Sequence, residues 1–160
     1  MRRTYGAPWA WFVGFVLTAT GVLSAADTDG WLTDFEQAKK TAIEKKLPIL
    51  MDFSGSDWCI WCQRLDAEVF KQQAFKDYAK DNLVLFLADF PMRSKQAEGL
   101  STQNNKLRSL YRVEGYPTVL LVSATGEELS RTGYRKGGAE AYVEHVKELL
   151  RAKKVEPAGH

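Results

Sequence analysis

The sequence predicts a single α/β domain in which helices flank a central mixed sheet of about four to five strands. Short apolar runs of strand length alternate along the chain with stretches whose apolar residues recur at helical spacing. The last two predicted strands are joined by a short turn, which adds an antiparallel hairpin to the parallel pairs expected from crossover helices. The length of 160 residues and the 45% hydrophobic content fit one globular domain without internal repeats.

The N-terminal segment is set apart from this domain. Arg2 and Arg3 precede an uncharged apolar stretch, Trp9 to Leu23, that ends in small residues. We interpret residues 1–26 as a secretory signal peptide cleaved after Ala26, which predicts a periplasmic or otherwise exported protein. An uncleaved anchor is the alternative, but the stretch falls short of the roughly 20 apolar residues that span a bilayer.

The first half of the domain begins with an amphipathic helix, for which Thr33 or Asp34 is available as the N-cap and which Pro48 ends. A buried strand follows, and Asp52 is the anomalous acid within its apolar run. Turn residues then lead into the next helix. The predicted elements of this half are helix 33–46, strand 49–53, helix 58–69, a further helical turn or two at 73–79, and strand 83–88.

The second half closes the fold. Residues 91–104 are polar and indicate an irregular loop that is long for a compact domain. Gly137 and Gly138 lead into a final helix whose apolar residues share one face. The predicted elements of this half are a short helix at 106–111, strands at 118–122 and 128–132, and a helix at 140–152. The domain is therefore expected to span residues 27–152, followed by a flexible tail at 153–160.

The two cysteines carry the predicted chemistry. They are spaced as Cys59-Ile60-Trp61-Cys62 at the start of a predicted helix, so their sulfurs can bond without movement of the backbone. Unpaired N–H groups and the helix dipole favour a thiolate at Cys59, the predicted nucleophile. Cys62, one turn into the helix and shielded from large substrates, is the predicted resolving thiol.

Two other interpretations of the cysteine pair are weaker. A purely structural disulfide would close a very short loop and restrain the unfolded chain little. A closed metal site needs about four ligands, whereas the pair supplies two and the histidines are His145 and the distant His160. We therefore expect neither a metal nor a cofactor.

Three features of the sequence, taken together, resemble the thioredoxin superfamily over about residues 31–152. A strand ends in Asp52-Phe53, an aromatic residue precedes the cysteine motif, and Gly115-Tyr116-Pro117-Thr118 stands ahead of the hairpin. The resemblance implies a thioredoxin-like fold with Pro117 in the cis form. It also implies that the backbone of Tyr116 pairs with an extended substrate segment beside the cysteines.

Asp52 is the third predicted catalytic residue. An acid inside an apolar strand costs free energy unless it is paired or protonated, so we expect its pKa to be raised. The resemblance places it beneath the cysteine pair as a proton acceptor for Cys62. The alternative is that it caps an element or faces solvent.

Trp58 and Trp61 flank the cysteines and are the predicted substrate platform, because large aromatic rings beside the pair offer an apolar surface. Each could instead pack inward. Neither histidine nor arginine lies between the cysteines to stabilise the thiolate strongly, which favours a reductase or interchange enzyme over a strong oxidant.

The expected partners follow from this chemistry. The segment after Cys62 resembles exported interchange proteins, which implies protein thiol or disulfide substrates and a membrane electron donor. Without Arg2 and Arg3 the 22 basic residues become 20, equal to the 20 acids, so we expect no nucleic acid partner. We expect a monomer. The rival hypothesis is a non-catalytic module with the same fold that binds copper or a client protein, as a chaperone would.

Overall fold

A computed structural model of the protein describes Met1 and residues 30–155. Except for Met1, the predicted signal peptide lies outside the described residues, as do residues 156–160 of the predicted tail. Within the described part, no helix is long and apolar enough to cross a membrane. The elements are β1 Trp31–Leu32, α1 Phe35–Lys45, β2 Ile49–Ser54, α2 Ile60–Leu65, a π-helical segment Asp66–Phe70, α3 Gln73–Asn82, β3 Val84–Asp89, α4 Glu98–Leu110, β4 Thr118–Val122, β5 Glu128–Thr132 and α5 Gly138–Val155.

The sheet has five strands in the order β1-β3-β2-β4-β5 and is mixed, as predicted. The central strand β2 runs parallel to β3 and antiparallel to β4. Phe53, near the end of β2, pairs with Thr118 at the start of β4. The end of β2 and the segment that precedes β4 therefore meet at one edge of the sheet, where α2 also begins.

Alternation along β2 divides the core between the two faces of the sheet. Ile49, Met51 and Phe53 pack with buried residues of α1 and α4. Leu50 belongs to the second cluster, which residues of α2, the π-helical segment, α3 and α5 complete. Asp52 has the same parity as Leu50, so it points to the face that carries α2.

The structure differs from the sequence prediction at three elements. The edge strand β1 was not predicted, since two residues are too short to show a periodicity. Helix α4 begins at Glu98 rather than Lys106, so the expectation of an irregular loop as far as residue 104 is wrong. Helix α5 begins at Gly138 and runs to Val155, beyond the predicted boundary at 152.

Hydrogen bonds to other elements hold the part of α4 that was predicted as a loop. The side-chain oxygen of Gln103 accepts a hydrogen bond from the Phe35 N–H at 3.0 Å, and its amide donates to the Thr33 carbonyl at 2.8 Å. The buried Asn104 donates to the Asp89 carbonyl at 2.9 Å. Polar residues that resemble a loop in the sequence thus attach this helix to α1 and to the end of β3.

Candidate redox site

The cysteine pair forms a disulfide at the edge of the sheet, with Cα atoms 5.3 Å apart. Cys59 is the N-cap of α2, and its Sγ accepts a hydrogen bond from the Cys62 N–H at 3.2 Å. Cys59 is 6% exposed and Cys62 is 3% exposed. The exposed fractions of the two cysteines are therefore nearly equal in the disulfide form. Any difference in their reactivity must come from their different surroundings.

Asp52 is buried on the Cys62 side of the sheet. It is 5% exposed, and its Oδ1 has no hydrogen-bond partner among the described residues. Burial, followed by the charges of Asp66 and Asp89, raises its pKa to about 8. The predicted raised pKa is confirmed, and the alternative of a capping or solvent-facing Asp52 is wrong.

Asp52 and Cys62 line one cavity of about 450 Å³. Asp66 lies on the same wall and forms an ion pair with Lys71. The side chains of Asp52, Ser54 and Asp66 line part of this cavity, which has room for water, so a proton can pass between the buried carboxyl and its surroundings. The lining residues are Trp31, Asp52, Ser54, Ser56, Cys62, Gln63, Asp66, Phe70, Lys71 and Leu87.

Trp58 is 38% exposed and is fixed on one flank of the pair. Its Nε1 donates to the Phe90 carbonyl at 2.8 Å, and its ring meets Tyr116 edge-on at 5.7 Å. A Cβ at Gly55 would overlap the indole, so the turn requires glycine there. Trp58 therefore joins the cysteine turn to the segment after β3 and to the Tyr116-Pro117 segment.

Trp61 is held differently on the other flank, where it is 46% exposed. Its ring lies 5.2 Å from Tyr134, and the Arg64 guanidinium lies over both rings at 5.2 and 5.6 Å. Glu68 accepts from Arg64 at 2.9 Å and from the Tyr134 hydroxyl at 2.7 Å. These bonds lower the pKa of Glu68 and raise that of Tyr134.

Tyr116 and Pro117 lie at the same edge, and the peptide bond between them is cis, as the resemblance implied. The Tyr116 ring contacts Phe90 at 5.2 Å, and Arg108 of α4 lies over it at 5.8 Å. All the predicted site residues are thus brought to one end of the sheet, around or beneath the disulfide.

Several contributors to the site were missed in the sequence. Asp57 and Asp89 attach the segment after β3 to the cysteine turn, and Glu68 with Tyr134 supports Trp61. The residues in each of these contacts lie far apart in the chain. The only feature that the local sequence offers is Asp57, the acid directly before Trp58. Among the described residues, no group of three or more His, Cys, Asp or Glu side chains could hold a metal ion.

Comparisons with known proteins agree with this geometry. The thioredoxin-like domain family matches residues 35–147. Disulfide bond reductase DsbH of Chlamydia pneumoniae is 33% identical over 117 residues, which cover 73% of this chain and 70% of that protein. A solved structure of a DsbH oxidoreductase superposes with a TM-score of 0.73 at 33% identity, covering 86% of this chain and 94% of that chain.

Thioredoxin-related protein DsbJ of Chlamydia pneumoniae is also similar, with 29% identity over 108 residues. The match covers 68% of this chain and 31% of that protein.

Proposed function

Because this chain belongs to the thioredoxin-like domain family and is a thiol-disulfide oxidoreductase, we propose that it reduces or exchanges disulfides of other proteins outside the cytoplasm. The observation that carries the proposal is the Cys59–Cys62 disulfide, because Cys62 lines the same cavity as Asp52, a buried acid whose Oδ1 has no hydrogen-bond partner among the described residues. The apolar stretch after Arg2 and Arg3 supports export.

The reaction begins at Cys59. Its thiolate attacks one sulfur of a client disulfide, the client S–S bond breaks, and a mixed disulfide forms. The second client sulfur leaves as a thiolate and takes a proton from water. The backbone N–H of Cys62 donates to Sγ of Cys59 and stabilises negative charge there.

Cys62 completes the reaction. It gives its proton to ionised Asp52, attacks Sγ of Cys59, and releases the remaining client sulfur as a thiolate. The Cys59–Cys62 disulfide forms, and two electrons have passed from the dithiol to the client. Burial makes Asp52 a base of about the strength needed near neutral pH, since its pKa is about 8.

The surrounding residues bind the client in this proposal. Trp58 and Trp61 present partly exposed rings on opposite flanks of the pair, and Tyr116 with Pro117 offers backbone to an extended segment. A second dithiol must return the two electrons, and we propose a membrane-bound thiol donor for that step. We propose that the protein acts as a monomer without nucleic acid.

The direction of electron flow is proposed as reductive. The residues between the cysteines are Ile60 and Trp61, and neither adds a positive charge that would stabilise the thiolate enough to make the protein a strong oxidant. The similarity to a disulfide bond reductase supports the same direction.

A trapping experiment tests this function. The purified Cys62→Ser variant, reduced and mixed with extracts of exported proteins, is expected to retain clients in mixed disulfides that dithiothreitol releases. The Cys59→Ser variant is the matched control and should retain none. If the double variant Cys59→Ser, Cys62→Ser binds the same clients equally well, the protein is a binding module and the redox proposal is wrong.

A further inference from the structure

The segment between β3 and α4 has no role in the chemistry described above, although it lies beside the cysteine turn. Residues 90–97 form neither helix nor strand. Met92 in this segment is 75% exposed, and Ile60 between the cysteines is 61% exposed. Ile60 therefore offers exposed apolar surface within the cysteine motif, and Met92 offers it on the segment attached to that motif.

Asp57 ties this segment to the cysteine turn. Its Oδ1 accepts the N–H of Met92 at 2.9 Å, and its Oδ2 accepts the N–H groups of Arg93 and Ser94, each at 2.8 Å. The Ser94 hydroxyl donates to the same oxygen at 3.1 Å. These bonds lower the pKa of Asp57 to about 2, so the carboxylate stays charged across the physiological range.

The neighbouring residues make parallel attachments. The N–H and hydroxyl of Ser56 donate to the Asp89 carboxylate at 2.9 and 2.6 Å. The Trp58 indole donates to the Phe90 carbonyl. Three consecutive residues before Cys59 therefore bind either the last residue of β3 or the segment after it, which fixes that segment relative to the disulfide.

An aromatic cluster extends this surface to the Tyr116-Pro117 segment. Tyr116 contacts both Trp58, at 5.7 Å, and Phe90, at 5.2 Å. The cysteine turn, the segment after β3 and the segment before β4 thus meet in one continuous patch. This patch begins directly beside Cys59, because Trp58 is its neighbour in the chain.

We propose that residues 90–94 form a wall of the client-binding groove, with Asp57 as the positioning residue and Met92 as a specificity-determining contact. The wall suits an extended protein segment that carries an apolar side chain beside its disulfide-bonded cysteine, because Met92, Ile60 and Trp58 offer apolar surface there. This inference rests on the proposed reductase function and adds the class of client.

The test compares three disulfides as substrates of the purified protein. Two are synthetic peptide disulfides that differ only in having leucine or aspartate next to the cysteine, and the third is hydroxyethyl disulfide, which has no peptide to fill a groove. The wild type should favour the leucine peptide. Met92→Gln and Asp57→Ala should each lower kcat/KM for that peptide about fivefold to tenfold, mainly through KM.

Met92→Gln should reduce hydroxyethyl disulfide within about twofold of the wild type, because a change at this exposed side chain leaves the sulfur chemistry intact. Asp77→Asn, at an acid on α3 whose carboxylate accepts a hydrogen bond from Gln73, is the matched control and should change the rate with neither substrate. Met92→Gln alters an exposed side chain and keeps the test valid if Asp57→Ala fails to fold.

Equal losses on peptide and hydroxyethyl disulfide would overturn the wall, since Asp57 would then merely support the cysteine turn. Unchanged rates in Met92→Gln, or no preference for leucine in the wild type, would also overturn it. A wild type that reduces none of the three substrates would instead refute the proposed reductase function. The proposed groove wall depends on that function and would be refuted as well.

Discussion

The two cysteines lie three residues apart in sequence but in contrasting surroundings. Cys59 stands among loops held by hydrogen bonds and partly exposed aromatic rings, with Trp58 on one flank and Trp61 on the other. Cys62 faces a cavity that contains the buried carboxyl of Asp52. In the proposed mechanism, one turn of helix separates the sulfur that meets the client from the sulfur beside the proposed proton acceptor, although both cysteines are nearly buried in the disulfide form.

The largest expected effect is loss of either sulfur, which tests the asymmetry of the pair directly. Cys59→Ser should abolish disulfide reduction, because the remaining thiol, Cys62, is nearly buried and lines the inner cavity. Cys62→Ser should still form one mixed disulfide but should not turn over. Mass spectrometry of each variant after mixing with a peptide disulfide checks this. Turnover by Cys62→Ser at the wild-type rate would contradict the asymmetry.

The next effect concerns only Cys62 and its proposed proton acceptor, Asp52. Asp52→Asn removes the proposed base, and general bases contribute about 10² to 10⁴ to rate. With a pKa of about 8, only a minor fraction of Asp52 is ionised at neutral pH. We therefore expect release of the mixed disulfide to slow at least about tenfold at pH 7, and its increase with pH through about 8 to disappear.

Rapid-quench measurement of mixed-disulfide decay between pH 6 and 9 gives this result, with Asp77→Asn as the control. An unchanged pH profile in Asp52→Asn would show that the Asp52 carboxyl does not accept the proton. The initial attack by Cys59 should change less than the release step, because Asp52 lies beneath Cys62.

The same carboxyl makes stability depend on pH. Its pKa is 3.8 when unperturbed and about 8 in the native state, so between these values the native form binds the extra proton. The free energy of unfolding should therefore fall as pH rises from about 4 to about 8, by up to about 1.4 kcal/mol per pH unit. Urea unfolding of the oxidised protein at pH 5 and pH 8 measures the slope.

Asp52→Asn should flatten that slope, and it should stabilise the protein more at pH 8 than at pH 5. Equal changes in the variant and the wild type across this range would show that another group carries the pH dependence.

The smallest expected effect concerns Trp61, which flanks the cysteine pair. Tyr134→Phe keeps the ring that contacts Trp61 but removes the hydroxyl bond to Glu68, which water can partly replace because it is not deeply buried. We expect a change of less than about fivefold in kcat/KM for peptide disulfides and an altered Trp61 fluorescence. A larger loss than that of Met92→Gln would shift client recognition from the Trp58 flank to the Trp61 flank.

Local patterns were sufficient to predict most of the fold. The apolar runs gave β2, β3 and β4, and Asp34 is the N-cap of α1, where its carboxylate accepts the Gln37 N–H at 2.9 Å. The buried Asp52 was predicted because an acid inside an apolar run has no local explanation. In each case the signal lies within a few neighbouring residues.

The remainder depends on contacts between distant residues. Gln103 and Asn104, within the stretch whose polar composition indicated a loop, bond to other elements and attach α4 to them. The attachment of Asp57 to Ser94 joins residues 37 positions apart. The sequence around a single acid such as Asp57 or Glu68 does not indicate which distant residue it bonds.

The reduction potential of the Cys59–Cys62 pair tests the central claim most directly. The purified protein would be equilibrated in graded thiol/disulfide buffers and its free thiols trapped and counted. A reductase predicts one two-electron transition near about −270 mV. A transition near about −120 mV would mark an oxidant and contradict the proposed direction, and the absence of any transition would contradict a redox function altogether.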